Sequence, residues 1–291
     1  MSELLWLDDP RARDTSRVGP KLARLAELGA HGVRVPQGFA LCAPIHARAL
    51  EGVGEACAEL GRRLGEDEPR VAVRSSALFE DGAEHSHAGE LLTVLGARGE
   101  VSIRAAIERC FEALARTAAP RASLAIGVLA LVPARASGVA FSRHPHAARS
   151  DRVLIESSFG LGPAIVEGQV DPDRVELDRD GLRVLRHVVA HKARWTALGD
   201  AGEARLAPMP EALQRASSIS APEAVRLAAQ VLAIESRLGF AVDVEWVVHD
   251  YDHEARITVV QARPITGARA ASPPRWDPVR YALRYGATGA R

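Results

Sequence analysis

Alternation of apolar and polar positions near the end of the chain predicts a β-hairpin over residues 242–265. Successive side chains of a strand point to opposite faces, so Asp243 and Glu245 share one face. By the same rule Gln261 and Arg263 share a face. Pairing of the two strands can therefore bring carboxylates, an amide and a guanidinium together. On these residues alone, a surface hairpin with a solvated polar face explains the pattern equally well.

Apolar spacing elsewhere predicts a mixture of helices and strands. Leu22, Leu25 and Leu28 recur at helical spacing and predict a helix over residues 19–29. Further helices are predicted at 55–64, 103–114 and 220–239, and further strands at 71–74, 91–95, 124–132, 137–142 and 153–159. A Gly-rich turn, a short helix and another strand follow the last of these. The tail from residue 268 onward is predicted to be a linker.

Length and composition limit the classes of protein that the sequence can represent. The 291 residues suffice for a sizeable core and for two lobes. A formal net charge of +0 argues against nucleic acid as a partner, because binding to a phosphate backbone requires a basic patch. No apolar run approaches the roughly 18 residues of a membrane span, and the N-terminal sequence lacks a signal-peptide pattern. The sequence therefore predicts a cytoplasmic protein without a membrane partner.

Basic residues are distributed unusually, since the 37 Lys and Arg residues include just two lysines, Lys21 and Lys192. Lys is a compact point charge and Arg a planar fork, so the two are not interchangeable at a phosphate. Lys21 falls near a predicted helix N-terminus, where backbone N–H groups favour an anion. The alternative is that these two lysines are present by chance and have no special role.

Two Gly-containing loops are candidates for phosphate contacts. Arg74 ends the predicted strand VAVR, and the Ser- and Gly-rich loop after it can fold over phosphates with its backbone N–H groups. A second turn, with Gly160 and Gly162, precedes a short helix that opens at Pro163. Such a turn is a weak phosphate signal by itself, because most Gly turns are only turns.

Four stretches, in this order, resemble the nucleotide-binding domain of the phosphoenolpyruvate synthase, pyruvate phosphate dikinase and rifampin phosphotransferase family. They are VGPKLARLAELGAHGVRVPQGFAL, VAVRSSALFEDGAEHSHAGELLTVL, ASGVAFS with ESSFGLGPAIVEGQVDPD, and DVEWVV with VVQARPIT. The resemblance spans about residues 17–266. It implies an α+β fold of the ATP-grasp type, with ATP and Mg²⁺ held between two lobes. The implied divisions are an N-terminal lobe at 1–127, a C-terminal lobe at 128–267 and a tail or linker at 268–291.

The resemblance also implies roles for individual residues. Lys21 resembles the family's phosphate-contacting lysine, Arg74 its triphosphate-binding arginine and Arg263 the arginine on the transferring phosphate, and these three form the predicted catalytic set. Glu245 and Gln261 resemble the Mg²⁺ ligands. The predicted nucleotide-binding set is Lys21, Arg74, Ser75, Gly89, Gly160, Gly162, Lys192, Glu245, Gln261 and Arg263.

Three departures from the family pattern affect these expectations. Gly19-Pro20 replaces Gly-Gly before the lysine, and Pro163 replaces the acid of the family's GLGE turn. The segment expected near adenine reads LALVP, so the adenine contacts are expected to differ. The family normally continues with a phosphohistidine domain, and no histidine here matches that domain's motif.

These features predict an ATP-dependent phosphotransferase module, standing alone, that phosphorylates a histidine on a separate partner. A self-contained kinase or ligase-like enzyme acting on a small molecule is the first alternative. A non-catalytic nucleotide-binding protein is the second. Retention of charged groups that cost stability when buried argues against the second alternative.

Overall fold

The computed structural model describes residues 4–78, 92–116, 123–145, 151–199, 202–251 and 254–265. Its strands form two large sheets, one from the first part of the chain and one from the later part, with helices packed on both. The predicted α+β class is confirmed. No helix among these described residues is long and apolar enough to span a membrane. The predicted tail at 268–291 lies outside the described residues.

The first sheet has five antiparallel strands in the order β1-β2-β5-β3-β4. They are β1 (Leu4–Trp6), β2 (Gly38–Leu41), β3 (Val71–Ala77), β4 (Thr93–Ala97) and β5 (Leu124–Ala130). Val71, Val73 and Ala77 of the third strand join an apolar core with the helices packed on this sheet. Alternation therefore turns Arg74 and Ser76 to the opposite face.

Helix α1 (Thr15–Ala30) lies between the two sheets. Its fully buried leucines belong to the same apolar cluster as the strands of the second sheet. The helix is interrupted at Gly19, whose φ of 72° is easily adopted only without a Cβ atom. The main helix then begins at Pro20, a residue suited to the first helical position. The helix predicted at 19–29 is thus correct, with an additional turn before it.

Three helices flank the first sheet: α2 (Ala47–Glu51), α3 (Val53–Leu64) and α4 (Gly99–Ala115). The last two match the helices predicted at 55–64 and 103–114 closely. α3 ends at Gly65, which has a positive φ of 69° and satisfies terminal carbonyl groups. These helices close the core of the first lobe, so its opposite face is left to α1 and the second lobe.

The second sheet has six antiparallel strands in the order β13-β12-β6-β7-β8-β9. Their bounds are β6 (Ala136–Phe141), β7 (Arg152–Phe159), β8 (Asp173–Asp178), β9 (Val184–Val188), β12 (Val242–Tyr251) and β13 (Glu254–Pro264). The predicted terminal hairpin is confirmed as the last two of these strands. The chain passes from the first sheet to the second between Ala130 and Ala136, a few residues after the predicted boundary at 127/128. Division into two folding lobes stays a prediction.

A small hairpin that the sequence did not predict connects the two lobes. It consists of β10 (Arg194–Leu198) and β11 (Ala204–Pro208), between the short helices α5 (Pro163–Val166) and α6 (Glu211–Gln214). Near its tip, a Cβ atom placed on Gly96 of the first sheet would lie 1.8 Å from the carbonyl oxygen of Gly202. The two backbones therefore touch directly, which a side chain at Gly96 would prevent.

Helix α7 (Ala221–Leu238) covers one face of the second sheet and matches the helix predicted at 220–239. Ser220 and Glu223 form a reciprocal capping box at its start, and Gly239 ends it with a φ of 77°. The sheet face beneath it is apolar, with Val244, Trp246 and neighbouring strand residues in one cluster. The other face of this sheet is therefore the one turned towards the first lobe.

A buried ion pair joins two loops to the second sheet. Lys192 and Asp173 are both fully buried, and the lysine Nζ lies 2.5 Å from Asp173 Oδ1. Asp173 also accepts bonds from the backbone N–H and the hydroxyl of Ser218, at 2.8 and 2.7 Å. The second hydroxyl of the group, on Ser157, lies 2.8 Å from Ser218 Oγ. This network satisfies both charges, which burial otherwise makes costly.

We predict that Lys192→Met destabilises the fold by about 3–5 kcal/mol, because it leaves Asp173 as an uncompensated buried charge. The midpoint of urea unfolding at unchanged slope measures this loss. Arg183→Met is the matched control, because Arg183 pairs with Asp178 at 2.9 Å with its side chain largely in solvent. The control should leave the midpoint nearly unchanged. Equal effects of the two substitutions would contradict a structural role for the buried pair.

Candidate functional site

The register of the terminal hairpin assembles the polar groups that strand alternation predicts. Asp243 pairs directly with Arg263, and Glu245 pairs with Gln261. Directly paired residues of an antiparallel ladder point to the same face, so all four side chains lie together on the face opposite Trp246. A bulge follows, because Trp246 pairs with Val259 and Val260 has no partner strand residue.

Arg74 reaches from the first sheet to this hairpin. Its Nη1 donates to the carbonyl oxygen of Val260 at 2.7 Å, and its Nη2 donates to Gln261 Oε1. The bulge makes the first bond possible, because it takes Val260 out of the strand ladder. Arg74 is 8% exposed, so the guanidinium is held where the two sheets meet and water is largely excluded.

Arg263 is held by the acid beside it in the ladder. Its Nε donates to Asp243 Oδ2 at 2.8 Å. Burial raises the pKa of the Asp243 carboxyl, and the nearby Arg263 partly opposes that increase. Glu245 and Glu156 raise the same pKa further, because a negative charge disfavours a second one close by. Negative charge is therefore concentrated on this side of the hairpin.

The interruption of the first long helix lies against the same region. A Cβ atom on Gly19 would lie 2.3 Å from Ser76 Oγ and 2.7 Å from the Ser76 carbonyl oxygen. The glycine thus lets the start of the main helix touch the end of β3, next to Arg74. Lys21 lies in the first turn of that helix and is half-buried. Its role in contacting phosphate stays a prediction.

Buried polar atoms without hydrogen-bond partners concentrate here. Within the described parts of the chain five such side-chain atoms occur, and three of them are Arg74 Nε, Ser76 Oγ and Asp243 Oδ1. Folded proteins pair nearly all buried polar groups, so these three atoms are available to bond a ligand or water. The two remaining atoms, Ser158 Oγ and Trp246 Nε1, lie elsewhere on the second sheet.

Several residues of the predicted nucleotide-binding set are not brought to this place. Ser75 faces the core of the first lobe, and both its N–H and its hydroxyl bond to the carbonyl of Leu92, at 3.1 and 3.0 Å. Lys192 is bound to Asp173, which pairs with Ser157 and therefore lies on the face opposite Glu156 and Glu245. Gly89 lies outside the described residues.

The Gly-rich turn after β7 is built for packing. The N–H groups of Gly160 and Leu161 donate to Arg135 and Thr196 carbonyls, at 3.1 and 2.9 Å. The Ala164 N–H donates to the Thr196 hydroxyl at 3.3 Å, and Pro163 has no N–H. Gly160 has a φ of 79°, and a Cβ there would lie 2.4 Å from the Thr196 carbonyl oxygen. Most donors expected near Gly162 are thus already engaged, which weakens the phosphate prediction for this turn.

Two residues of the site were not in the predicted set. Ser76, and not its neighbour Ser75, shares the face of Arg74 and approaches Gly19. Asp243 binds Arg263 and carries one of the unpaired oxygens. The alternation in VAVRSSA and DVEW indicates both Ser76 and Asp243, because a residue two positions from a site residue in a strand lies on the same face.

The donors available to a metal ion are oxygens. Glu245 supplies a carboxylate, Gln261 an amide oxygen and Asp243 a second carboxylate, all hard ligands of the kind that Mg²⁺ prefers. No group of three His, Cys, Asp or Glu residues in the described segments is arranged to hold a metal. This set fits a Mg²⁺ ion that takes one or two protein ligands and its remaining ligands from phosphates and water.

The chain is similar in sequence to several known proteins. The prodigiosin synthesizing transferase of Serratia marcescens is 34% identical over 236 residues, which cover 78% of this chain and 25% of that protein. A rifampicin phosphotransferase of a Streptomyces species is 31% identical, over 89% of this chain and 35% of that protein. A probable phosphoenolpyruvate synthase of Methanocaldococcus jannaschii is 28% identical, over 91% and 27%.

The chain spans between 25% and 35% of the length of these three relatives. Among solved structures, a protein of Pyrococcus horikoshii aligns with a TM-score of 0.43 at 13% identity, covering 86% of this chain and 92% of that chain. Residues 41–277 match the family described as the pyruvate phosphate dikinase AMP/ATP-binding domain. The match covers most of the chain, including the strand with Arg74 and the terminal hairpin, and the chain belongs to this family.

Proposed function

We propose that the chain binds Mg·ATP where its two sheets meet and transfers a phosphate to a histidine on a separate partner. The observation that carries this proposal is the contact of Arg74 with the Gln261 side chain, beside three unpaired buried polar atoms. The polar groups of two distant segments thus converge at one point. Membership of an AMP/ATP-binding family supports ATP as the ligand.

Three cations serve the transferred phosphate in this proposal. The transition state of phosphoryl transfer spreads negative charge over oxygens, so catalysis consists mainly of positioning and charge neutralisation. Arg74 and Arg263 lie at the hairpin. Lys21 lies in the first turn of the main helix, two residues after the glycine that touches β3. No protein nucleophile is required.

Glu245 and Gln261 would hold the Mg²⁺ ion, with Asp243 beside them. The ion, when bound, supplies neutralisation of the phosphate oxygens and fixes their orientation. The carboxylate and amide oxygens would orient the ion, and the arginines would bind phosphate oxygens. The half-buried position of Glu245 suits a ligand that is reached from the cleft side.

A histidine acceptor is supported by the likeness to phosphoenolpyruvate synthases and by the resemblance of the four motifs to their family. A small-molecule acceptor is the second candidate, favoured by the 31% identity to a rifampicin phosphotransferase over most of the chain. A cytoplasmic location belongs to the same proposal, because ATP is an intracellular substrate.

The proposal is tested by incubating the purified chain with Mg·ATP and following bound nucleotide, ADP, AMP and phosphorylated product. The acceptors are none, the phosphohistidine domain of a phosphoenolpyruvate synthase, or rifampicin. Acid-labile phosphate on the added domain supports the first candidate, and phosphorylated rifampicin supports the second. Binding of Mg·ATP without any transfer supports a non-catalytic nucleotide-binding protein. Absence of binding contradicts the ATP site itself.

We predict that Glu245→Gln lowers phosphoryl transfer by about 10²–10³-fold, because the ion loses a carboxylate ligand and transition-state charge is less well neutralised. The transfer rate as a function of Mg²⁺ concentration measures this. Glu176→Gln is the control, since Glu176 lies on the same sheet face but pairs with Arg152 at 2.5 Å. Wild-type rates in Glu245→Gln would refute the assignment of this ligand.

We also predict that Lys21→Arg slows transfer by about tenfold although the charge is retained, because a planar guanidinium cannot take the place of a compact ammonium. Single-turnover rates at saturating Mg·ATP measure the effect. Arg24→Lys is the reciprocal control on the same helix, where Arg24 lies 5.9 Å over the Phe240 ring. Identical transfer rates for the wild type, Lys21→Arg and Arg24→Lys would contradict a specific role for a lysine at position 21.

A further inference from the structure

Asp243 has two oxygens in different situations. Oδ2 accepts the bond from Arg263 at 2.8 Å. Oδ1 is buried and has no hydrogen-bond partner among the described residues. The whole residue is 6% exposed, so water does not compensate freely for the missing bond. A buried carboxylate of this kind has capacity for a second cationic partner.

The charges around Asp243 favour that second partner. Glu245 lies two residues along the same strand, and Glu156 lies two strands further across the same face. The negative charges of Glu245 and Glu156 add to that of Asp243 on this face, while Arg263 is bound at Oδ2. Arg174 is paired with Glu156 at 2.8 Å and thus serves another carboxylate. A cation placed beside Oδ1 would be attracted by Asp243, Glu245 and Glu156 together.

Arg74 binds a side-chain oxygen of Gln261 in the same way that Arg263 binds one of Asp243. Arg74 donates to Gln261 Oε1, which is the amide oxygen proposed to bind the metal. Arginines thus occupy an oxygen of Asp243 and the amide oxygen of Gln261. An oxygen that binds an arginine is a weaker ligand for a metal ion, because the two positive charges repel. An arginine that is held by these oxygens is likewise less available to a phosphate.

We propose that Asp243 exchanges Arg263 for a divalent cation: when Asp243 holds the cation, the Arg263 guanidinium would leave Oδ2 and would bind the nucleotide phosphates. This inference rests on the proposed function. It predicts that the cation and the nucleotide each raise the affinity for the other. The cation would replace Arg263 at Asp243, and the nucleotide phosphates would replace Asp243 at Arg263. Without the cation, Asp243 therefore positions Arg263.

Titration calorimetry with Mn²⁺ tests the proposal, first without nucleotide and then with the β,γ-imido analogue of ATP. Arg263→Gln should raise the affinity for Mn²⁺ alone by about tenfold, because the competing charge is gone, and should reduce the coupling by a similar factor. Arg263→Lys keeps a competing charge and should bind Mn²⁺ alone as the wild type does. Arg263 lies at the sheet edge with its side chain 37% exposed, so both variants should fold.

Arg186→Gln is the matched control for the loss of one positive charge. Arg186 lies in the same cross-strand row as Asp243, four strands away on β9, and its side chain is largely exposed. Its substitution should change the Mn²⁺ affinity by less than about twofold, because exposed charges at that separation are screened.

Three outcomes overturn the proposal while leaving the ATP site intact. They are an unchanged Mn²⁺ affinity in Arg263→Gln, an equal increase in Arg186→Gln, and undetectable Mn²⁺ binding by Arg263→Gln at millimolar concentrations. Failure of the wild type to bind the nucleotide analogue with Mn²⁺ is a different result, which contradicts the proposed function as well. Urea unfolding of each variant establishes that the comparison is made between folded proteins.

Discussion

The bond between Arg74 and the terminal hairpin is the interaction on which the arrangement of the site depends. A guanidinium that is 8% exposed must find acceptors inside the protein, because burial removes its water. The acceptors come from the other sheet, at Val260 and Gln261. The bulge at Val260 supplies the first of them. A charge from one lobe is thereby satisfied by backbone and side chain of the other, so the two sheets are fixed relative to each other where the site lies.

The first long helix takes its place from the same constraint. Gly19 allows the backbone to turn with φ of 72° and to approach Ser76 within a distance that no Cβ atom permits. The main helix can then begin at Pro20 against β3 and continue with its leucines in the shared apolar cluster. Core packing therefore also sets the geometry of the site. The buried leucines fix the position of the helix, and with it the position of the helix start that faces the site.

The two faces of the second sheet serve different purposes. One face is apolar beneath α7 and includes the buried Lys192–Asp173 pair near its rim. The other carries Asp243, Glu245 and their partners. The two lysines of the chain divide accordingly: Lys192 satisfies an internal acid, whereas Lys21 lies at a helix start beside the site. A rare residue type thus has two separate explanations, one concerned with stability and one with the proposed chemistry.

The sequence by itself determined the major elements and the faces of the strands, because hydrophobic periodicity records which side of each element is buried. The helix after Gly19, the helix at 220–239 and the hairpin with its shared polar face all follow from local pattern. The β10–β11 hairpin did not, since its strands are half-exposed and lack strict alternation. Only the tertiary structure decided that Arg74 meets Gln261, that Gly19 approaches Ser76, and that Lys192 is buried against Asp173. These contacts join segments far apart in the chain, so they depend on how the sheets dock and pair, which local periodicity does not encode.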